Sequence, residues 1–176
     1  MATRQRLPIS YPSYGIKCLS PDDAAQLQTL FDQCADFFIM TNGAPAKATA
    51  AAEEFTDVPE GKTPEDVRAW GLVDDRDRLA GTIIGVQGYP NSQTWWVGLM
   101  LLAPEQRGQG LGGSFYQAFE QWVAHQGYRF ISLCAIAPNT VGRHFWQRLG
   151  FEKIRQVSAR PYGTQIHDVH VYRRRL

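Results

Sequence analysis

The stretch Leu99 to Gly113 constrains this chain most. It reads L-M-L-L-A-P-E-Q-R-G-Q-G-L-G-G. An apolar run ends at Ala103-Pro104, a polar link Glu105-Gln106-Arg107 follows, and then come the glycines Gly108, Gly110, Gly112 and Gly113. An amphipathic helical pattern starts directly after them. Strand, glycine loop, helix leaves backbone N–H groups free at a helix N-terminus, where roughly +0.5 of an elementary charge attracts anions. The stretch therefore predicts an α/β fold and a phosphate-bearing ligand at its loop.

The remaining pattern supplies the scaffold. Ser13 to Leu19 alternates and predicts a strand. Ser20, Pro21 and Asp22-Asp23 then form a helix start, and Leu27, Leu30, Phe31, Cys34 and Phe38 share one helical face. Asn42-Gly43 stops that helix, and an alanine-rich helix is expected from Pro45 to Phe55, before a loop from Val58 to Asp66. Val67 to Val73, Leu79 to Tyr89 and Thr94 to Leu102 read as an antiparallel meander. After the glycines, Phe115, Phe119, Trp122 and Val123 line a helix that ends at Gly127. A buried strand follows from Phe130 to Ala137, then a helix capped by Asn139 and ended by Gly150. Glu152 to Ala159 and Thr164 to Arg173 read as a closing hairpin. The order β-α-α-β-β-β-α-β-α-β-β predicts one α/β domain over 1–176. Its sheet should be mixed and mostly antiparallel, with six to seven strands and about four flanking helices. Within it, 13–66 should form N-terminal helices and a lid over a pocket, 67–151 the sheet and ligand site, and 152–176 the C-terminal hairpin.

Composition narrows the partners. The net charge of +1 offers no broad basic surface for nucleic acid, and Arg173-Arg174-Arg175 reads as a solvated chain end. No apolar run has the length of a signal peptide or a membrane span. Cys18, Cys34 and Cys134 lie far apart without a C-x-x-C, which argues against disulfides and a zinc site and fits a reducing, cytoplasmic location. His167 and His170 alternate along the last strand and read as structural, so no metal is expected.

The glycines admit several ligands. Gly108, Gly110 and Gly113 match G-x-G-x-x-G, but a dinucleotide site needs an acidic residue about twenty positions on, and none lies between Glu120 and Glu152. A P-loop would need G-K-[ST], which is missing. The remaining parse is R-x-x-G-x-G, from Arg107 to Gly112.

That motif, with L-x-A-P-E-Q before it, resembles the acetyl-CoA-binding motif of the GNAT N-acetyltransferase superfamily. Asn139 to Phe151 (N-T-V-G-R-H-F-W-Q-R-L-G-F) is similar to the family's second motif, at the expected spacing of one helix and one strand. The resemblance covers Trp95 to Phe151. It implies a sheet with splayed central strands, acetyl-CoA as cosubstrate, and a primary amine of a small molecule or peptide as acceptor. It further implies a pyrophosphate held by Arg107, Gly108, Gln109, Gly110, Leu111, Gly112 and Gly113. The pantetheine would lie along Met100, Leu101 and Leu102, with Asn139, Phe145 and Trp146 beside the cofactor arm. The backbone N–H of Leu102 is the expected oxyanion donor, with Asn139 a second catalytic candidate.

One position departs from the family. Trp146 stands where many members carry a Tyr that serves as general acid, and indole cannot supply that proton. Cys134, His144 and a water held by Asn139 are the alternatives. The strand Thr94 to Leu102 has no acidic residue, so the base falls among Asp36, Glu53, Glu54 and Asp57, or to a water chain. The acceptor pocket should involve Asp36, Phe37, Phe38 and Tyr162. A rival reading is a CoA-binding sensor without turnover. Exposed edge strands in the final hairpin would allow a homodimer.

Overall fold

The computed structural model describes residues 6–176. Its strands are β1 (Arg6–Leu7), β2 (Gly15–Leu19), β3 (Val67–Val73), β4 (Leu79–Gln87), β5 (Thr94–Leu102), β6 (Phe130–Ile136), β7 (Glu152–Tyr162) and β8 (Gln165–Arg175). The helices are α1 (Ala24–Gln33), α2 (Ala35–Asn42), α3 (Ala50–Glu53), α4 (Leu111–His125) and α5 (Thr140–Arg148). All eight strands form one sheet in the order β1-β2-β3-β4-β5-β6-β8-β7. Every neighbouring pair is antiparallel except β5–β6, which is parallel.

The expected architecture is present, with two differences in count. The two-residue β1 is too short to show alternation. The helix expected to run through Phe38 breaks at Cys34, whose Sγ reaches the Leu102 carbonyl at 3.3 Å and pins the α1–α2 junction to the end of β5. The alanine-rich segment forms only the single turn α3, because alanine favours helix but brings little surface to bury. Ala51 and Phe55 anchor this segment in the core, and the Gln28 side-chain Oε1 accepts from Ala51 N at 3.1 Å.

Two apolar cores lie on opposite faces of the sheet. Phe115, Phe119 and Val123 of α4 and Trp146 of α5 pack one face against Trp70, Trp95 and Leu133. Leu27, Leu30, Phe31 and Phe38 of α1 and α2 pack the other against Ile84, Leu99 and Leu101. Strict alternation would put Trp95, Val97, Leu99 and Leu101 on one face. Instead Trp95 and Val97 join the first core, and Leu99 and Leu101 the second. The β4–β5 register explains this: Ile84 faces Leu99 and Gly85 faces Val97, so Gly98 is an extra, bulged residue that reverses the side-chain order. The fold turns this bulge into a site.

Candidate active site

The parallel β5–β6 pairing runs from Thr94–Phe130 to Val97–Leu133 and stops there. From Gly98 onward the two strands diverge, leaving a gap between the end of β5 and the end of β6. The groups facing it follow from the ladder. Ala103 N donates to Ala80 O, so by antiparallel alternation Leu101 and Leu99 also bond to β4, while Leu102 and Met100 turn their backbone groups toward the gap. Both have partly exposed side chains. Leu101 leaves the candidate set: its backbone pairs with β4, and its side chain is buried in the α1–α2 core.

The glycine loop sits at the mouth of this gap. Gly108 and Gly110 have φ of 78° and 80°, a region closed to most side chains, and Gly110 is the N-cap of α4. The first α4 hydrogen bond runs from Ser114 N to Gly110 O, and no side chain caps the helix. The N–H groups of Leu111, Gly112 and Gly113 therefore precede the ladder. The Leu111 side chain itself is core, leaving only its N–H for a ligand. A Cβ on Gly113 or Gly108 would meet nothing within 4 Å, so the loop backbone lies open to a large anion. A Cβ on Gly112 would approach Leu102 and Phe145 side chains, which puts Phe145 beside the loop.

Arg107 occupies a different position from the one expected. Its Nη1 and Nη2 bind Asp36 Oδ2 and Oδ1 at 2.5 and 3.2 Å, and its Nε donates to Leu102 O at 3.0 Å. The fork thus joins the loop to α2 and β5, and its charge is already paired. This also corrects Asp36: it is an ion-pair partner, not a free acceptor carboxylate, and Arg107 holds its carboxyl below the usual range. Phe38 is likewise core, stacked 5.0 Å from Phe31, and only Phe37 of that pair is partly exposed.

Asn139 caps α5, its Oδ1 accepting from Gly142 N at 2.9 Å. Trp146 is buried against Tyr116 and Phe151, with Phe145 at its edge. It is a core aromatic, and Phe145 beside it is the residue that reaches the loop. His144 is exposed on α5. Cys134, on β6 past the last β5 pair, faces the Tyr162 hydroxyl in hydrogen-bonding contact, and burial pushes the Tyr162 phenol up to about 12. The two histidines of β8 are structural: His167 Nε2 lies 2.9 Å from Thr41 O, and His170 lies beside Tyr172. Among the described residues no cluster of His, Cys, Asp and Glu could hold a metal ion, and no helix is long and apolar enough to cross a membrane.

Sequence reasoning missed two features. The segment before β2 packs on the glycine loop, where Tyr11 Oη donates to Gln109 O at 2.9 Å and Tyr14 Oη to Gln106 Oε1 at 2.5 Å. The second is a cavity of about 250 Å³ at the bulge, lined by Glu54, Asp57, Ile84, Tyr89, Trp96 and Gly98. Glu54 was one of four candidate bases, but Tyr89, Trp96 and Gly98 carried no signal beyond strand-forming or loop character.

Residues 28–151 match the family model described as the acetyltransferase (GNAT) family. No curated protein matches the chain. Among solved structures, the chain is similar to an acetyltransferase from Thermus thermophilus (22% identity, TM-score 0.71, covering 93% of this chain and 97% of that one). It is also similar to the Salmonella typhimurium acetyl transferase that modifies the N-terminal serine of ribosomal protein L7/L12 (14%, TM-score 0.78, 98% and 99%). A third similar structure is the ribosomal-protein-S18-alanine N-acetyltransferase of Escherichia coli (14%, TM-score 0.70, 92% and 93%).

Proposed function

The chain belongs to the acetyltransferase (GNAT) family, and on that premise we propose that it transfers an acetyl group from acetyl-CoA to a primary amine by direct attack in a ternary complex. The observation that carries this reading is the gap between β5 and β6 opening at one end onto the glycine loop. The loop N–H groups of Gly108 to Gly113 take the pyrophosphate. The pantetheine arm then enters the gap and bonds the backbone N–H of Leu102, as an added strand would. Phe145 flanks the arm, and Asn139 holds α5 in place beside it. Arg107 acts through position: it fixes the loop to α2 and to the Leu102 carbonyl.

The direction of the arm places the chemistry. With the phosphates at the loop, the thioester lies deeper in the gap than Leu102, toward Met100 and the bulge. The Met100 N–H is then the oxyanion donor, and Leu102, first in line from the sequence, serves the pantetheine amide. A backbone N–H of this kind is pre-aimed and costs no reorganisation when charge develops on the carbonyl oxygen. The leaving thiolate needs a proton. Trp146 cannot give one, and the Tyr162 hydroxyl, held on Cys134 and protonated as any phenol is at neutral pH, can.

Trp146 at the usual Tyr position favours one rival, a CoA-binding sensor. The test is calorimetric titration of CoA and acetyl-CoA into the wild-type chain and Gly110→Asp, followed by thiol release with amines. Acetyl transfer requires binding to the wild type, loss of binding in the variant, and amine-dependent thiol release. Binding without release from any amine would favour the sensor.

A further inference from the structure

We propose that the cavity at the β5 bulge receives the acceptor's ammonium group and that Glu54 is the base that deprotonates it, so that the acceptor is a cationic primary amine on a short apolar or aromatic arm. This inference rests on the acetyl-transfer reading above. The position argues for it first. Gly98 lines the cavity and is also the residue at which β5 and β6 part, so the cavity and the inner end of the gap meet at one exposed glycine. An amine in the cavity and a thioester in the gap approach each other there.

The chemistry of the lining argues second. The Glu54 carboxylate is half-buried and, among the described residues, has neither a hydrogen bond nor a cation as partner, while its charged neighbours Asp57 and Glu53 are both acidic. Glu53 is already satisfied by Lys47 at 2.7 Å and Thr49 at 2.7 Å; Glu54 is not. A carboxylate kept from water without a counter-charge is uncommon in a core and common where a cation is to arrive. Opposite it, Tyr89 and Trp96 meet edge to face at 5.7 Å and form an aromatic wall. Carboxylates facing aromatic rings are a setting for an ammonium group with apolar carbon behind it. A volume of about 250 Å³ admits the head and first few carbons of an acceptor and leaves the remainder outside.

The proton balance closes. Glu54 takes a proton from the bound ammonium. The freed nitrogen lone pair forms the N–C bond at the acetyl carbonyl while the C–S bond breaks, and the nitrogen loses a second proton to give the amide. The thiolate gains one proton from Tyr162, which is restored from the nitrogen or solvent, and Glu54 returns its own to water. The products are the N-acetyl amine, CoA thiol and one proton. Among the described residues, the charged groups acting on Glu54 are Asp57 and Glu53, both acidic, and Tyr89 lines the same cavity. Burial and the two acidic neighbours bring the Glu54 carboxyl to about 7, where a base can both accept and release a proton.

The test uses the full chain with 2-phenylethylamine and its uncharged counterpart 2-phenylethanol. In CoA-saturated protein, the amine should bind at least about tenfold more tightly than the alcohol, a difference of about 1.4 kcal/mol. Glu54→Gln should remove that preference and keep CoA affinity, which also shows that the variant folds. In turnover, Glu54→Gln should lower kcat/KM for the amine by about 100-fold and move the acid limb of the pH profile from near 7 toward the amine's own pKa. Equal binding of amine and alcohol by the wild type, or a variant that keeps both kcat/KM and the limb, overturns the proposal and leaves acetyl transfer standing. A wild type that fails to bind CoA overturns the acetyl-transfer reading instead.

Discussion

Replacing Glu54 by Gln should make the protein more stable while damaging its activity, and the gain should depend on pH. The Glu54 carboxyl titrates near 7 in the fold against an ordinary value of 4.5. Between those values the folded chain binds more protons than the unfolded chain, so stability falls as pH rises through that window. Below about 4.5 both states are protonated and the burden vanishes; above about 7.5 it is complete. At 1.36 kcal/mol per pKa unit, the full burden is about 3 kcal/mol, and about 1 kcal/mol of it is present at pH 5. Gln has the same shape and no charge to desolvate. Urea unfolding of both chains at pH 5 and pH 8 measures the difference. The expected gain for Glu54→Gln is about 1 kcal/mol at pH 5 and about 3 kcal/mol at pH 8, or about 6–12 °C in Tm at the higher pH for a chain of this size. An equal gain at both pH values, or a loss at pH 8, would refute the claim that burial raises the pKa of this carboxyl.

Other substitutions separate binding from scaffold. Gly110→Asp places a carboxylate at the loop, at a φ of 80° and beside the Tyr11 hydroxyl; calorimetry should find no acetyl-CoA binding. Arg107→Ala and Asp36→Asn break an ion pair that is largely open to solvent, so each should cost under about 1 kcal/mol in stability, while steady-state kinetics should show a raised KM for acetyl-CoA. Trp146→Phe removes part of a packed aromatic cluster; denaturation should show a loss of about 1–3 kcal/mol, and assays a retained fraction of kcat. Gly98→Ala has room for its methyl group, whose nearest contact would be Ile84 O at 3.7 Å, so it should fold normally and raise the acceptor KM.

The parts of this fold that were legible in sequence are those set by local periodicity and turn chemistry. The meander, α4, the Asn139 cap on α5 and the closing hairpin all follow from patterns within about fifteen residues. The glycine loop was legible because only glycine fits its left-handed positions. What escaped was set by contacts distant in sequence. The bulge at Gly98 exists only in the register with Ile84 and Gly85, and no single strand announces it. Arg107 and Asp36 lie 71 residues apart, so their pairing could not be read from either neighbourhood, and each was given to a ligand. Tyr11 on Gln109 and the meeting of Glu54 with Tyr89 and Trp96 depend on tertiary packing in the same way. Phe38 shows the converse error: aromatic character near a presumed pocket was taken for a binding role when the residue's helical spacing with Phe31 already placed it in the core.

The most direct measurement is thiol release from acetyl-CoA by the wild-type chain in the presence of primary amines, with the acceptor products weighed by mass spectrometry. Acetyl transfer at the β5–β6 gap predicts amine-dependent release of CoA thiol and an acceptor heavier by one acetyl group, with neither seen for Gly110→Asp. Tight CoA binding with no thiol released by any amine, or release that persists in Gly110→Asp, would contradict it.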